Sequence, residues 1–242
     1  KKPMKITDFP QLNAFKVDID CNHVAEISLN RPEAINSMNS DFWAELPAII
    51  EALDREAAAR VIILSSQGKH FTAGMDLSVL DNLGRSNSDE PARVAEKSRR
   101  WILELQDTFT ALENTRMPVI SAIQGACIGG GVDMICATDM RFCTSNAYFN
   151  IKETALGITA DVGTLQRIQN VMPSGLAREL AYSSRNLGAE EALAFGFVNK
   201  VYCDQEEMLG AVRSLAAEIA AHSPMAVHGT KEMLNYSRDH SV

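Results

Sequence analysis

The sequence predicts an α/β fold that ends in a helical region. Residues 14–19 and 24–29 alternate apolar and polar side chains, as strands with one buried face do. Residues 61–64 and 119–123 are almost entirely apolar, which is typical of strands buried on both faces. From residue 162 onward the apolar spacing becomes mostly helical. These observations favour one α/β domain with a C-terminal helical region.

The N-terminal half begins with a predicted β-hairpin, because its first two strands follow one another closely. A helix is predicted at residues 38–56, with Ser40 as its N-cap. Its apolar side chains share one face, namely Phe42, Leu46, Ile49, Ile50 and Leu53. Residues 86–89 are polar and are expected to form a mobile loop, and residues 91–113 are expected to form a long amphipathic helix.

The C-terminal half begins at the strand predicted for residues 119–123. A glycine loop is expected next, leading into a short helix that runs through Cys136. Two more short strands are predicted at residues 140–143 and 147–149. Further helices are expected at residues 177–182, 189–195, 206–221 and 224–236.

The composition of the 242 residues argues against several classes of protein. Apolar residues make up 46% and charged residues 22%, which is ordinary for a folded chain and unlike a disordered one. The net charge of −8 argues against nucleic-acid binding, which needs a basic face. Charges run through the longest helical patterns, so no membrane partner is expected.

The cysteines and histidines indicate which cellular compartment and which metal sites to expect. The five cysteines have no paired spacing, which indicates reduced thiols. The basic N-terminus leads into no apolar segment, so a secreted protein is not expected. We therefore expect a cytoplasmic protein if the source is bacterial, with a mitochondrial or peroxisomal matrix as the alternative if it is eukaryotic. The five histidines lack the spacing of metal ligands, so no metal site is predicted.

A triple glycine followed by three acids forms the candidate site. Residues 129–131 are all glycine and precede Asp133, with Glu153 and Asp161 further along the chain. A glycine loop entering a helix leaves backbone N–H groups available to bind a developing anion. Carboxylates near that anion can move protons, and this combination is suited to enolate chemistry.

Each acid also has a structural explanation. Asp133 is favoured by the helix dipole in the first turn of a short helix, Asp161 is a possible N-cap for the segment that follows it, and Glu153 is a candidate for a solvated loop charge. Nucleotide-binding motifs do not fit, because Gly131 and Val132 stand where a P-loop needs Lys and Ser or Thr. From the residues alone, the site and the structural explanations both stay open.

Four separated segments resemble the enoyl-CoA hydratase/isomerase (crotonase) superfamily. They are residues 29–36, 71–77, 125–133 and 163–167, in the family's order. This resemblance implies a crotonase-like superhelix of strand–strand–helix repeats with a C-terminal helical region. It also implies an acyl-CoA thioester as the partner and no separate cofactor, because CoA is part of the substrate.

The same resemblance implies a domain organisation. Residues 1–200 would form the crotonase-fold core, and residues 201–242 would begin a helical region used for trimerisation, giving a homotrimer or a homohexamer. Family members continue beyond the tail at residues 236–242, so this region is expected to be truncated here.

The family's site is carried over residue by residue. Its oxyanion hole consists of two backbone N–H groups, which the matching segments place at Met75 and Gly130. The residues expected to bind the substrate and its CoA part are Ala34, Ala73, Gly74, Met75, Asp76, Leu77 and Gly130.

The set of acids indicates a branch of the family. Asp133, Glu153 and Asp161 together resemble the Δ3,5-Δ2,4-dienoyl-CoA isomerases of fatty-acid β-oxidation, which move a proton from C2 to C6 through a dienolate. Glu153 and Asp161 are then the expected proton carriers, and Asp133 would tune them. The alternatives are an enoyl-CoA hydratase that uses Asp133 and Glu153, and a non-catalytic acyl-CoA-binding protein of the same fold.

Overall fold

Two β-sheets form the framework of the protein. The computed structural model describes residues 3–80 and 90–241. Within these ranges the strands are β1 (Phe15–Ile19), β2 (Val24–Leu29), β3 (Val61–Ser66), β4 (Val119–Ile123), β5 (Ala126–Ile128), β6 (Met140–Thr144), β7 (Tyr148–Asn150), β8 (Leu187–Gly188) and β9 (Lys200–Tyr202). The larger sheet has the order β1-β2-β3-β4-β6-β9 and the smaller sheet the order β5-β7-β8.

Helices pack on both faces of the larger sheet. In the described part of the chain they are α1 (Ser40–Arg55), α2 (Leu77–Leu80), α3 (Pro91–Asn114), α4 (Gly130–Cys136), α5 (Thr164–Arg167), α6 (Ser174–Ser183), α7 (Ala189–Ala194), α8 (Gln205–Ala220) and α9 (Pro224–Asp239). The predicted α/β class with C-terminal helices is therefore confirmed. None of the described helices is long and apolar enough to cross a membrane.

The strand pairing confirms the predicted hairpin, since β1 and β2 are antiparallel. From β2 to β9 the neighbours in the larger sheet are parallel. The chain leaves this sheet at Gly125, whose φ is +58° and where an added Cβ would lie 2.5 Å from the Lys69 carbonyl oxygen. The sequence predicts a loop here, whereas residues 126–128 form β5, because they pair with β7.

The core has two parts, one on each face of the larger sheet. Along β3, Ile62 belongs to the cluster shared with α1 and α3, whereas Val61 and Ile63 belong to the cluster shared with α8. Successive side chains of a strand point to opposite faces, and all residues of β3 are buried. The prediction of a strand buried on both faces is therefore confirmed. The predicted division of the chain at residue 200 falls on the first residue of β9, and that division stays a prediction.

Two details of the helices differ from the sequence-based expectations. The N-cap of α1 is Asn39, whose side chain accepts a hydrogen bond from the Phe42 N–H, so the prediction of Ser40 is wrong by one residue. Both residue types cap helices well, and the sequence alone does not choose between neighbours. The predicted polar loop at residues 86–89 lies outside the described residues.

Candidate active site

Two backbone N–H groups converge beside the glycine triplet. Gly130 is the first residue of α4, so its N–H has no partner within the helix. Met75 forms a parallel bridge with Met38, in which the Gly74 carbonyl accepts from Met38 N–H and the Asp76 N–H donates to the Met38 carbonyl. The Met75 N–H therefore points away from Met38. A Cβ added at Gly130 would lie 3.7 Å from the Met75 nitrogen, so the two backbone groups lie close together, and both residues line the same cavity.

Gly74 allows this close approach. Its φ is +86°, and an added Cβ would lie 2.6 Å from the Ile128 carbonyl oxygen and 3.3 Å from the Gly130 nitrogen. A side chain here would push the Met75 segment away from the start of α4. Glycine is therefore required both for its backbone conformation and for its lack of a side chain.

Gly74→Ala is accordingly expected to lower kcat on the acyl-CoA substrate that the resemblance implies. The expected loss is about 100-fold, as for removal of one oxyanion donor. Strain at a positive φ together with a backbone clash should also lower the free energy of unfolding by about 2 kcal/mol. Steady-state kinetics and urea unfolding measure these two effects. Gly196→Ala is the matched control, because Gly196 has a φ of +78° and open space around its Cβ position. Equal kcat values for the two variants would show that the contact between the segments is irrelevant.

Asp133 is buried beneath the glycine triplet. It lies in the first turn of α4, is 1% exposed, and its Oδ1 accepts a 2.6 Å hydrogen bond from the Thr164 N–H. Burial raises the pKa of its carboxyl to about 6, although the hydrogen bond from Thr164 acts in the opposite direction. The structural explanation by the helix dipole holds for its position, but it does not account for a buried carboxyl at a cavity wall.

Glu153 begins a 3₁₀ helix, Glu153–Leu156, and points back toward the glycines. A Cβ added at Gly129 would lie 3.2 Å from its Oε1. Its Oε2 is buried and has no hydrogen-bond partner among the described residues. Burial raises the pKa of this carboxyl to about 7, and the charge of Asp133 acts in the same direction. The alternative of a solvated loop charge is therefore wrong.

Asp161 lies on the loop before α5 and is exposed. Its backbone carbonyl accepts a 2.6 Å hydrogen bond from Gln106 Nε2 of α3. Helix α5 begins at Thr164 with Gly163 as its N-cap, so Asp161 is not the cap that the structural alternative requires.

These groups line a single cavity of about 490 Å³. Its walls bring together the three acids, the two residues predicted to form the oxyanion hole and an apolar surface. They consist of Ser37, Ala73, Met75, Asp76, Leu77, Ile128, Gly129, Gly130, Asp133, Lys152, Glu153, Leu156, Ile158, Asp161 and Val162. The cavity therefore combines backbone amides that are able to bind an anion, carboxyl groups that are able to carry protons, and room for an apolar chain.

Two residues expected to bind the substrate have other contacts. Asp76 accepts hydrogen bonds from Ser78 and Ser37, which hold its pKa at about 2 and tie the Met75 segment to the loop before α1. Ala34 ends a 3₁₀ turn, Pro32–Ala34, and is not among the described residues that line the cavity. The next residue, Ile35, accepts a backbone hydrogen bond from Ala73, so Ala34 lies close behind the wall.

Several residues of the candidate site carry no recognisable signal in the sequence. Leu156, Ile158 and Val162 provide the apolar wall, but their spacing in a short irregular segment carries no periodic signal. Met38, whose Sδ would lie 3.0 Å from a Cβ at Gly130, packs behind the amide pair. No motif in the sequence marks a buried methionine as part of a site.

Comparison with known proteins places this chain in a family. Residues 20–241 match the family described as enoyl-CoA hydratase/isomerase. The chain is 43% identical over 244 residues to the mitochondrial Delta(3,5)-Delta(2,4)-dienoyl-CoA isomerase of Mus musculus, covering 100% of this chain and 74% of that protein. It is 41% identical over 241 residues to the peroxisomal Delta(3,5)-Delta(2,4)-dienoyl-CoA isomerase of Arabidopsis thaliana, covering 99% and 86%.

A solved structure shares the fold. It is a protein of Thermobifida fusca YX, described as an enoyl-CoA hydratase and crystallised in complex with acetoacetyl-CoA, with a TM-score of 0.86 and 27% identity. The match covers 100% of this chain and 93% of that one. The predicted crotonase-like fold is thereby confirmed, and the chain belongs to the enoyl-CoA hydratase/isomerase family.

Proposed function

We propose that this protein converts 3,5-dienoyl-CoA to 2,4-dienoyl-CoA. The observation that carries the proposal is a third carboxylate, Asp161, at a cavity that Asp133, Glu153, Met75 and Gly130 also line. Shifting a diene along the chain requires one proton to leave at C2 and another to arrive at C6. Relatives that are named for this isomerisation match nearly the whole chain at 41–45% identity.

In the proposed reaction the thioester oxygen accepts hydrogen bonds from the Met75 and Gly130 N–H groups. Glu153 removes the C2 proton, because its carboxyl lies directly beside Gly129 and hence beside the α-carbon of a thioester bound there. The electron pair of the broken C2–H bond spreads through a dienolate as far as C6. Asp161 donates a proton to C6, which leaves double bonds at C2–C3 and C4–C5 and restores the thioester carbonyl.

The pKa of Glu153 supports its role. A carboxyl whose pKa is about 7 can both take and return a proton near neutral pH. Asp133 contributes to this value, since its charge disfavours ionisation of Glu153. Asp133 itself is held by Thr164 and buried, and we propose that it tunes Glu153 without touching the reacting carbons.

Hydration is the reaction to separate from isomerisation. An enoyl-CoA hydratase would use Asp133 and Glu153 together on one water molecule, and it would leave Asp161 without a role. Here one oxygen of Asp133 is already bonded to a backbone N–H, which reduces its ability to orient a water. This contact favours the isomerase.

The proposal is tested by mixing the protein with 3,5-dienoyl-CoA and following the ultraviolet absorbance of the conjugated 2,4-dienoyl thioester. Hydration of a 2-enoyl-CoA is measured in parallel by loss of the enoyl absorbance. We expect diene formation to exceed hydration by at least about 100-fold. Hydration without diene formation would overturn the proposal in favour of a hydratase. No turnover in either assay would overturn it in favour of an acyl-CoA-binding protein.

We further propose that the chain assembles as a homotrimer or a homohexamer. Support comes from α9, which exposes large apolar side chains: Met225 (83% exposed), Met233 (61%), Leu234 (68%) and Tyr236 (54%). Exposed apolar clusters of this kind typically mark protein interfaces. Light scattering should give a trimeric or hexameric mass that Leu234→Glu reduces. A monomeric mass for the wild type would refute this assembly.

A further inference from the structure

A polar stripe on α3 contacts the segment that carries Asp161. Gln106, Thr110 and Glu113 lie on one face of the helix, one turn apart. Gln106 Nε2 donates to the Asp161 carbonyl at 2.6 Å. Thr110 Oγ1 and Glu113 Oε2 accept from Arg167 at 3.1 Å and 3.0 Å. The stripe therefore holds both ends of residues 161–167.

The segment between these two ends carries a second group of the site. The Thr164 N–H donates to Asp133 Oδ1 at 2.6 Å. Helix α5 has four residues, which is too short to be stable without outside contacts. Its position, and with it the hydrogen bond on Asp133, therefore depends on the side chains that grip it.

Arg167 presses directly on the turn that precedes α5. Gly163 has a φ of +128°, and a Cβ added there would overlap the Arg167 Nη1 atom. The Arg167 guanidinium thus fills the space that a side chain at residue 163 would need. It is fixed from the other side by Glu113, whose Oε2 lies 2.8 Å from Arg167 Nη2.

Helix α9 adds a third charged side chain, Arg238, to the Glu113–Arg167 pair. Arg238 binds Glu113 Oε1, so one carboxylate joins two guanidinium groups. The side chains of Arg167 and Glu113 are 13% and 12% exposed. Charged groups so well shielded from water are held in a defined geometry by their partners.

We infer that Gln106 and the Glu113–Arg167 pair are positioning residues of the isomerisation. They fix Asp161 at the cavity and keep the Thr164 N–H on Asp133, although none of their side chains lines the cavity. The inference rests on the proposed function, because Asp161 needs accurate placement only if it delivers a proton to C6.

Gln106→Leu is the main test, since it removes the hydrogen bond to the Asp161 carbonyl and leaves the ion pairs of Glu113 with Arg167 and Arg238 intact. Displacement of a reacting group by about 1 Å can cost on the order of 100-fold in rate. We therefore expect kcat for 3,5-dienoyl-CoA to fall between about 10- and 100-fold with KM unchanged. Asp107→Asn, an exposed neighbour on the same helix, is the matched control and should keep wild-type kcat.

A double-mutant cycle separates positioning from general destabilisation. If Gln106 acts through Asp161, the double variant Gln106→Leu/Asp161→Asn will turn over no more slowly than Asp161→Asn alone. If Gln106 acts only on overall stability, the two losses will multiply. Multiplying losses, or a rise in KM that equals the fall in kcat/KM, would overturn the inference.

Glu113→Gln is the second variant, and it weakens the grip on Arg167. Binding of a saturated acyl-CoA, measured by calorimetry, checks that it is folded, and kcat is expected to fall at least tenfold with that affinity unchanged. If both Gln106→Leu and Glu113→Gln kept wild-type kcat, the inference would be overturned and the proposed function would stand. Absence of diene formation by the wild-type protein would instead remove the proposed function, and the inference with it.

Discussion

Replacing Glu153 with glutamine is expected to lower kcat for diene isomerisation by about 1,000-fold, within the usual range for loss of a general acid–base group. The amide is nearly isosteric with the carboxyl and cannot accept the C2 proton. Substrate affinity should change little, because the Met75 and Gly130 N–H groups remain. Turnover at saturating 3,5-dienoyl-CoA measures the effect, and kcat within tenfold of wild type would exclude Glu153 as the C2 base.

The same substitution is expected to stabilise the protein above neutral pH. The folded-state pKa of Glu153 is about 7, against 4.5 for an unperturbed glutamate. Because the folded state holds this proton more tightly, wild-type stability falls as pH rises through that window. Glutamine does not ionise, so Glu153→Gln should raise Tm at about pH 8 and have little effect near pH 4. A lower Tm than wild type at about pH 8 would contradict the raised pKa.

Asp161→Asn is expected to produce the second large loss, between about 100- and 10,000-fold in kcat. The reason is that asparagine cannot deliver a proton to C6, while the oxyanion amides and Glu153 are untouched. Asp161 is exposed, so the Tm and the affinity for a saturated acyl-CoA should stay at wild-type values.

The control for this variant is Asp107→Asn, which makes the same chemical change at an exposed carboxylate on α3, away from the cavity. It should leave kcat and Tm unaltered. If Asp161→Asn kept wild-type kcat as this control should, Asp161 would have no part in the reaction. The isomerase proposal would then lack a group that protonates C6.

Elements with strong periodicity were predictable, and short ones were not. The hairpin of β1 and β2, the buried strands β3 and β4, and the long helices α1, α3, α8 and α9 agree with the sequence within a few residues. The two-residue strand β8 and the four-residue helix α5 are too short to show a period. Their structure is set by partners distant in sequence, such as β7 for β8.

The candidate site divides in a similar way. Asp133, Glu153 and Asp161 stand near recognisable glycine and loop patterns, and the fold brings them to one cavity. Gln106 and Glu113 could not be found in this way. A polar stripe on a long amphipathic helix has the sequence pattern of a solvated face. Only the fold shows that this stripe lies against residues 161–167.

In the proposed mechanism two different carboxylates move the two protons, and a deuterium-labelled substrate tests this division of roles. The protein would convert 3,5-dienoyl-CoA carrying deuterium at both C2 positions, in ordinary water, with the product examined by NMR. We predict a 2,4-dienoyl-CoA that retains one deuterium at C2 and gains hydrogen at C6, because the exposed Asp161 exchanges its proton with water. Deuterium carried from C2 to C6 would show that one group moves both protons and would contradict the two-carboxylate mechanism.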